Sequence, residues 1–342
     1  MREIYGDLCH ELLAKNMKHA LTFDETKDYA TWKKAIKEKF FELVGMENVA
    51  ANACAPNFMI EEDEMKEGYR QIRFTFESEK GSIVPCYLLI PDTGKEKYPV
   101  AITLQGHSTG FHNSIGVIKY PERDTSYQPR GAFALQAVKH GFAALAIEQR
   151  AMGERKTNRH PDAGMMCAYI SMTAIQLGRT VLAERMWDVS KAIDQLANFD
   201  MLDTDKIVLT GNSGGGTMTY YASCFDERIK IAVPSCAFCS YETSTLNIWH
   251  CPCNYIPNAY EWFEMQDVCT LIAPRNLVVI AGKEDKIFPI EGVEAGFETV
   301  KKVYEKEGVS DKCRLVVTEK GHWWCEDIVW NAVKEEAEKL GW

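Results

Sequence analysis

The stretch VLTGNSGGGTMTYYAS, residues 208–223, decides how this chain is read. Its centre, Gly211-Asn212-Ser213-Gly214-Gly215, fits G-x-S-x-G, in which a serine sits on a sharp turn between a strand and a helix. Apolar KIVLT leads in, and GTMTYYASCF leads out with helical character. Small neighbours allow so tight a turn without clashes. The same pattern recurs at Gly106-His107-Ser108-Thr109-Gly110, but the downstream residues there, GFHNSIGVIKYPERD, are full of helix breakers. Ser213 is therefore the expected nucleophile and Ser108 an ordinary loop serine. A plain glycine-rich turn is the bland alternative for GNSGGG. A phosphate-cradling loop is disfavoured because no Lys-Ser/Thr comes after it.

Working outward, apolar strands alternate with amphipathic helices. PVAITLQ, GFAALAIEQR, DKIVLTG, IKIAVPS, RNLVVIAG and CRLVVTE read as strands. GAFALQAVKHG, GRTVLAERMWDVSKAIDQLANF, EGVEAGFETVKKVYEKEG and the C-terminal segment read as helices. That order implies a mostly parallel central sheet with helices on both faces, an α/β-hydrolase arrangement. YRQIRFTFES and SIVPCYLLIP supply an antiparallel-looking start at one edge. Upstream, YATWKKAIKEKFFELVG spaces Trp32, Ile36, Phe40 and Leu43 as on one helix face and stops at Gly45. The expected organisation is an N-terminal helical extension over residues 1–68 and a catalytic domain over 69–342. The extension packs on the main domain or serves a homo-oligomer contact.

A serine hydroxyl needs a base to take its proton, and the base needs a carboxylate to hold its tautomer. The chain order in this fold is Ser, then Asp or Glu, then His. Of the eight histidines, His322 alone comes after the last strand, in VVTEKGHWWCED. LVVIAGKEDKIFP offers Asp285 just past its strand, with Glu284 in reserve. The expected oxyanion donors are the backbone N–H groups of Gly214 and of a residue in Gln105-Gly106-His107, His107 first. Trp323, Trp324 and Gln105 are candidate substrate contacts, with core packing as the alternative for the tryptophans.

The segments LQGH, AIEQRAMGER, GNSGGG, LIAPRNLVVIAGKEDKIFP and GHWWCED, spanning about 100–330, carry a resemblance. The sequence resembles bacterial α/β-hydrolases of the acetyl xylan esterase-like group, related to the cephalosporin-C deacetylase and dienelactone hydrolase branches. The resemblance implies deacetylation of sugars or other small esters. Two positions depart from it: Glu148 and Ala151 stand where D-x-R-G-x-G-E has Asp and Gly. Ser213 also stands where the dienelactone branch has cysteine. Arg150 and Glu154 are expected to pair near the sheet top.

Bulk properties narrow the alternatives. With 342 residues and 46% hydrophobic content, the chain can bury one large core. A net charge of −10 argues against nucleic acid or an anionic membrane as the main partner. The first twenty residues lack an apolar export core, and no run of apolar residues is long enough to span a bilayer. A cytoplasmic chain with reduced thiols is expected, although twelve cysteines is a high count. Cys236, Cys239, His250, Cys251 and Cys253 fall in SCAFCSYETSTLNIWHCPCN and could hold zinc, but apolar packing is the favoured reading. The long connection over 151–177 is expected to overhang the pocket, with His160 a plain loop histidine. The expected partner is a small-molecule ester, with no cofactor and no metal. An amidase or peptidase on the same triad, and a non-catalytic binding protein, are the alternatives.

Overall fold

The computed structural model describes residues 5–157 and 166–342. Among the described residues nine strands form one sheet: β1 (Met59–Lys66), β2 (Tyr69–Glu79), β3 (Ser82–Pro91), β4 (Tyr98–Leu104), β5 (Ala143–Ile147), β6 (Leu202–Asn212), β7 (Ile229–Ser235), β8 (Asn276–Gly282) and β9 (Cys313–Thr318). Their spatial order is β1-β2-β3-β5-β4-β6-β7-β8-β9. Pairing is antiparallel from β1 to β5 and parallel from β5 through β9. After β4 the chain moves one way to β5, then crosses back to place β6 on the other flank of β4. Such a reversal opens a crevice at the carboxyl ends of the strands, where ligands bind in sheets of this kind.

Strand side chains alternate between faces, and the core divides accordingly. Val100, Ile102, Leu145, Leu209, Leu277 and Val279 pack on one side with helices Tyr29–Val44, Val181–Gln195, Gly214–Phe225 and Ile290–Lys306. Ala101, Ala144, Val208, Val278 and Ile280 pack on the other with helices Phe133–Lys139 and Glu326–Lys339. Burial on both faces explains why these strands read as continuous apolar runs.

The N-terminal helix forms as its spacing implies. Asp28 caps it by accepting from the Thr31 N–H at 2.9 Å, and Trp32, Ile36, Phe40 and Val44 are buried. Gly45 ends it at φ 74°, where a Cβ would lie 2.2 Å from the Gly178 carbonyl oxygen. Phe40 stacks on Tyr221 at 5.4 Å, so this helix shares the main core. β1 has no counterpart among the elements expected from sequence. All eight residues of its MIEEDEMK are exposed, so it pairs with β2 through the backbone ladder and the ion pairs Asp63–Arg70 and Glu61–Arg73, and leaves no burial periodicity to read. No helix among the described residues is long and apolar enough to cross a membrane.

The expected Arg150–Glu154 pair does not form. Arg150 turns inward to Glu79 at 2.6 Å, Asp188 at 2.8 Å and Glu184 at 3.3 Å. Glu154 instead meets Arg73 at 2.7 Å and Lys119 at 3.0 Å. Asp188 also pairs with Arg155 at 2.7 Å. Burial alone would raise the Asp188 carboxyl, but the two guanidiniums more than offset this and hold it well below the usual range. Asp188→Ala takes from Arg155 its carboxylate and from Arg150 one of three, at a buried position. We expect a loss of about 3–5 kcal/mol of unfolding free energy, read from urea denaturation, whereas truncating the exposed pair Lys301–Glu298 should cost under ~1 kcal/mol.

Candidate active site

β6 delivers Ser213 to the start of helix Gly214–Phe225. Ser213 has φ 58° and ψ −125°, a conformation that L-residues adopt only when the surroundings impose it. Its N–H donates to the Ser235 carbonyl at 2.9 Å, tying the turn to β7. Close approach enforces small residues here: a Cβ on Gly215 would lie 2.1 Å from the Leu104 carbonyl oxygen, and one on Gly106 would lie 2.8 Å from that of Asn212. Leu104 pairs with Gly211, so the loop after β4 rests directly on the serine turn. The N–H groups of His107 and Gly214 donate to no acceptor among the described residues. Ser108 lies beyond the end of β4, but a short 3-10 turn, Phe111–Ile115, takes the place of a helix.

The other two expected triad members meet at hydrogen-bonding distance. His322 Nδ1 lies 2.8 Å from Asp285 Oδ2. Asp285 Oδ1 accepts the N–H groups of Ile287 at 2.8 Å and Phe288 at 3.1 Å, which fixes the carboxylate. Glu284 is exposed and takes no part. The loops carrying the pair are stitched together, since the Lys283 N–H donates to Thr318 and the Glu284 N–H to Lys320. Phe288 stacks on the imidazole at 5.9 Å. Ser213 and His322 line one cavity of about 710 Å³ together with His107, Met152, Trp249 and Lys156. Among the described residues no hydrogen bond yet joins the Ser213 hydroxyl to the imidazole.

The expected substrate contacts are not in the cavity wall. The Gln105 amide is spent inside the protein, donating to Ser114 Oγ and the Gly131 carbonyl, each at 2.7 Å. Trp324 is 1% exposed, packs on Phe133 at 4.1 Å and donates to Gln136. Trp323 is 46% exposed, but its ring lies under the Arg130 guanidinium at 3.7 Å. The aromatics that do line the cavity are Tyr120, Phe288 and Trp249, of which Trp249 is the most open at 70% exposed. Nothing in its sequence neighbourhood separates it from a packing residue. His160 lies outside the described residues.

The cysteine-rich segment splits. Cys236 donates to the Trp323 carbonyl at 3.5 Å, and Cys239 to that of Pro289 at 3.4 Å. Burial pushes these thiols up to about 12 and about 11. His250 pairs with Ser244 at 2.9 Å. Cys251 and Cys253 converge with Cys167 and His107, residues from distant parts of the chain, whereas Cys236 Sγ lies beside the Asp285–His322 pair.

Glu148, where the resemblance has Asp, forms no ion pair among the described residues. Its carboxyl accepts the N–H groups of Phe111 at 3.2 Å and Glu154 at 3.1 Å, joining the loops after β4 and β5. A Cβ on Gly153 would lie 1.9 Å from it, and Ala151 takes φ 70° in the position of the usual glycine. Burial raises Glu148 from 4.5 to about 7, despite the two N–H donors. The folded state therefore holds a proton that the unfolded chain releases near 4.5. Its stabilising share is full below that pH and is lost as pH rises through about 7. Glu264 and Asp267, raised to about 7 and about 6 by burial, act in the same direction. We expect the urea midpoint of Glu148→Gln to decline less than that of the wild type between about pH 5 and about pH 8. Parallel declines would show that Glu148 does not titrate in that interval.

Comparison with known proteins is consistent with this architecture. The Abhydrolase family model matches residues 4–241, and the prolyl oligopeptidase family model matches residues 182–342. YtaP of Bacillus subtilis, provisionally named a hydrolase, is 26% identical over 241 residues, covering 70% of this chain and 77% of that protein. A Bacteroides fragilis structure, provisionally named an acetyl xylan esterase, superposes with a TM-score of 0.79 at 17% identity, covering 98% of this chain and 95% of its own. A glucuronoyl esterase from Solibacter usitatus gives 0.66 at 14% identity, covering 94% and 99%. Acetyl xylan esterase 1 from Thermoanaerobacterium gives 0.61 at 13% identity, covering 96% and 98%. At these identities the structural likeness establishes the α/β-hydrolase fold.

Proposed function

This chain belongs to the Abhydrolase family, and from that premise we propose that it is a serine carboxylic-ester hydrolase that removes acetyl groups from an acetylated carbohydrate or another small acetyl ester. The observation that carries the proposal is the Asp285–His322 pair at 2.8 Å, opening onto the same cavity as a serine held at φ 58°. The carboxylate accepts from Nδ1, which leaves the Nε2 lone pair free to face the cavity. Ser213 Oγ attacks the carbonyl carbon while Nε2 takes its proton. The oxyanion is received by the N–H groups of Gly214 and His107. His322 then protonates the leaving alkoxide, and water, activated by the same imidazole, hydrolyses the acyl-serine. In this reading the Oγ–Nε2 hydrogen bond forms in the substrate complex, as catalytic hydrogen bonds commonly tighten only there.

The carbohydrate assignment draws on structural neighbours named as acetyl xylan and glucuronoyl esterases and on Trp249 at the cavity mouth, a face on which a sugar ring can stack. Twelve free cysteines favour a reducing, cytoplasmic compartment. The prolyl oligopeptidase match over the C-terminal part supports amide cleavage as the second reading.

The discriminating measurement is hydrolysis of acetylated xylose and xylo-oligosaccharides against a butyrate ester, a uronate methyl ester and an anilide matched to p-nitrophenyl acetate. Acetyl esters should be fastest, and Ser213→Ala should remove at least about 10,000-fold of kcat without shifting thermal unfolding. Asp285→Asn should lose about 10,000-fold. An anilide turned over as fast as its ester counterpart would transfer the assignment to the second reading. Undiminished turnover by Ser213→Ala would end both.

A further inference from the structure

Beside the serine turn lies a group of side chains that the hydrolase chemistry does not use. His107 Nε2 and the Sγ atoms of Cys167, Cys251 and Cys253 all lie within 4.8 Å of one another. They come from three separate parts of the chain: the loop after β4, the first turn of helix Met166–Gln176, and a Cys-Pro-Cys turn entering the 3-10 segment Pro252–Asn254. Cys253 Sγ and His107 Nε2 are 3.3 Å apart. In a tetrahedron with bonds of about 2.3 Å to sulfur and about 2.0 Å to nitrogen, donors are about 3.5–3.8 Å apart. A common bound of 4.8 Å leaves the four donors close enough to share one ion of this size after side-chain adjustment.

The charges point the same way. Arg185 is 2% exposed, and no carboxylate pairs with it among the described residues. Its guanidinium donates to the Arg150 carbonyl at 2.8 Å and to Cys167 Sγ at 3.3 Å, and it faces Cys253 as well. A buried cation without an anion is costly. Three thiols do not neutralise it. Three thiolates, one neutral imidazole and a divalent cation carry a net charge of −1, and Arg185 brings the buried group to zero. Cys167 and Cys251 border the cavity, which gives an ion a way in.

We propose that His107, Cys167, Cys251 and Cys253 form a tetrahedral site for a zinc ion, with Arg185 as its outer-shell counter-charge. Binding replaces the thiol protons of the three cysteines with one metal and releases those protons to solvent, with no change of oxidation state. The site clamps the loop after β4 to the Cys-Pro-Cys turn and to helix Met166–Gln176. The His107 ring also rests on the serine turn, since a Cβ on Gly214 would lie 3.2 Å from its Nδ1. The ion would therefore brace the residue whose N–H we assign to the oxyanion. The site stands on its own geometry, and failure of the esterase reading would not remove it.

The test is metal analysis of the full chain, expressed with zinc and desalted, together with a thiol count under denaturing conditions. We expect about one zinc per chain, twelve titratable thiols once the metal is stripped, and at least a tenfold loss of bound zinc in Cys251→Ser/Cys253→Ser. Cys236→Ala, outside the group, should keep its zinc. If the double variant is poorly folded, cobalt added to metal-stripped wild type supplies the second reading: intense visible bands of a tetrahedral thiolate site support the proposal, and their absence opposes it. Zinc-free protein that gains none on titration, full zinc retained by the folded double variant, or two thiols missing without reductant (a disulfide in place of the site) would each overturn it.

Discussion

The close approach of β4 and β6 at their carboxyl ends governs the rest of this site. Leu104 pairs with Gly211, and its carbonyl oxygen occupies the space that a Cβ at Gly215 would need. Only glycine fits, so the loop after β4 lies on the first turn of the helix that Ser213 opens. His107, on that loop, and Ser213, on that turn, thereby come to line one cavity. The strand order forces this proximity: β6 returns to the flank of β4 opposite β5, and the crevice opens at that reversal.

A proximity of this kind is useful only if the loop is held, and several independent ties hold it. Glu148 grips the Phe111 N–H from the far side. Behind it, His112 pairs with Asp124 at 2.9 Å, and the Asp124 carboxylate also takes the N–H groups of Lys119 and Tyr120, each at 2.8 Å. This second His–Asp pair is buried and structural. It shows that the chemical identity of a pair does not define a catalytic role. What distinguishes the Asp285–His322 pair is that its imidazole is 24% exposed, opening onto a cavity shared with the serine.

The parts legible in the sequence are those governed by local pattern. The strand–turn–helix around Ser213, the acid after β8 and the histidine after β9 emerge from chain order and short-range geometry, and the burial of β4 to β8 writes itself as apolar runs. Other features depend on distant segments and leave no local trace. Arg150 reads as the partner of a near neighbour, Glu154, but its partners Glu79 and Asp188 lie far off in the chain. Trp324 and Gln105 adjoin site residues in sequence, yet the backbone turns them into the core. Cys251 and Cys253 group with Cys236 by proximity in the chain, whereas Cys167 and His107 are their spatial neighbours. β1 escapes notice because an exposed edge ribbon obeys no hydrophobic rhythm.

The helix that starts at Ser213 is also the one on which Phe40 stacks through Tyr221. The amino-terminal segment is therefore a buttress behind the helix that Ser213 caps. Shortening the protein from that end, as a designer seeking a minimal domain would be tempted to do, would bare an aromatic surface on the helix that holds the serine turn.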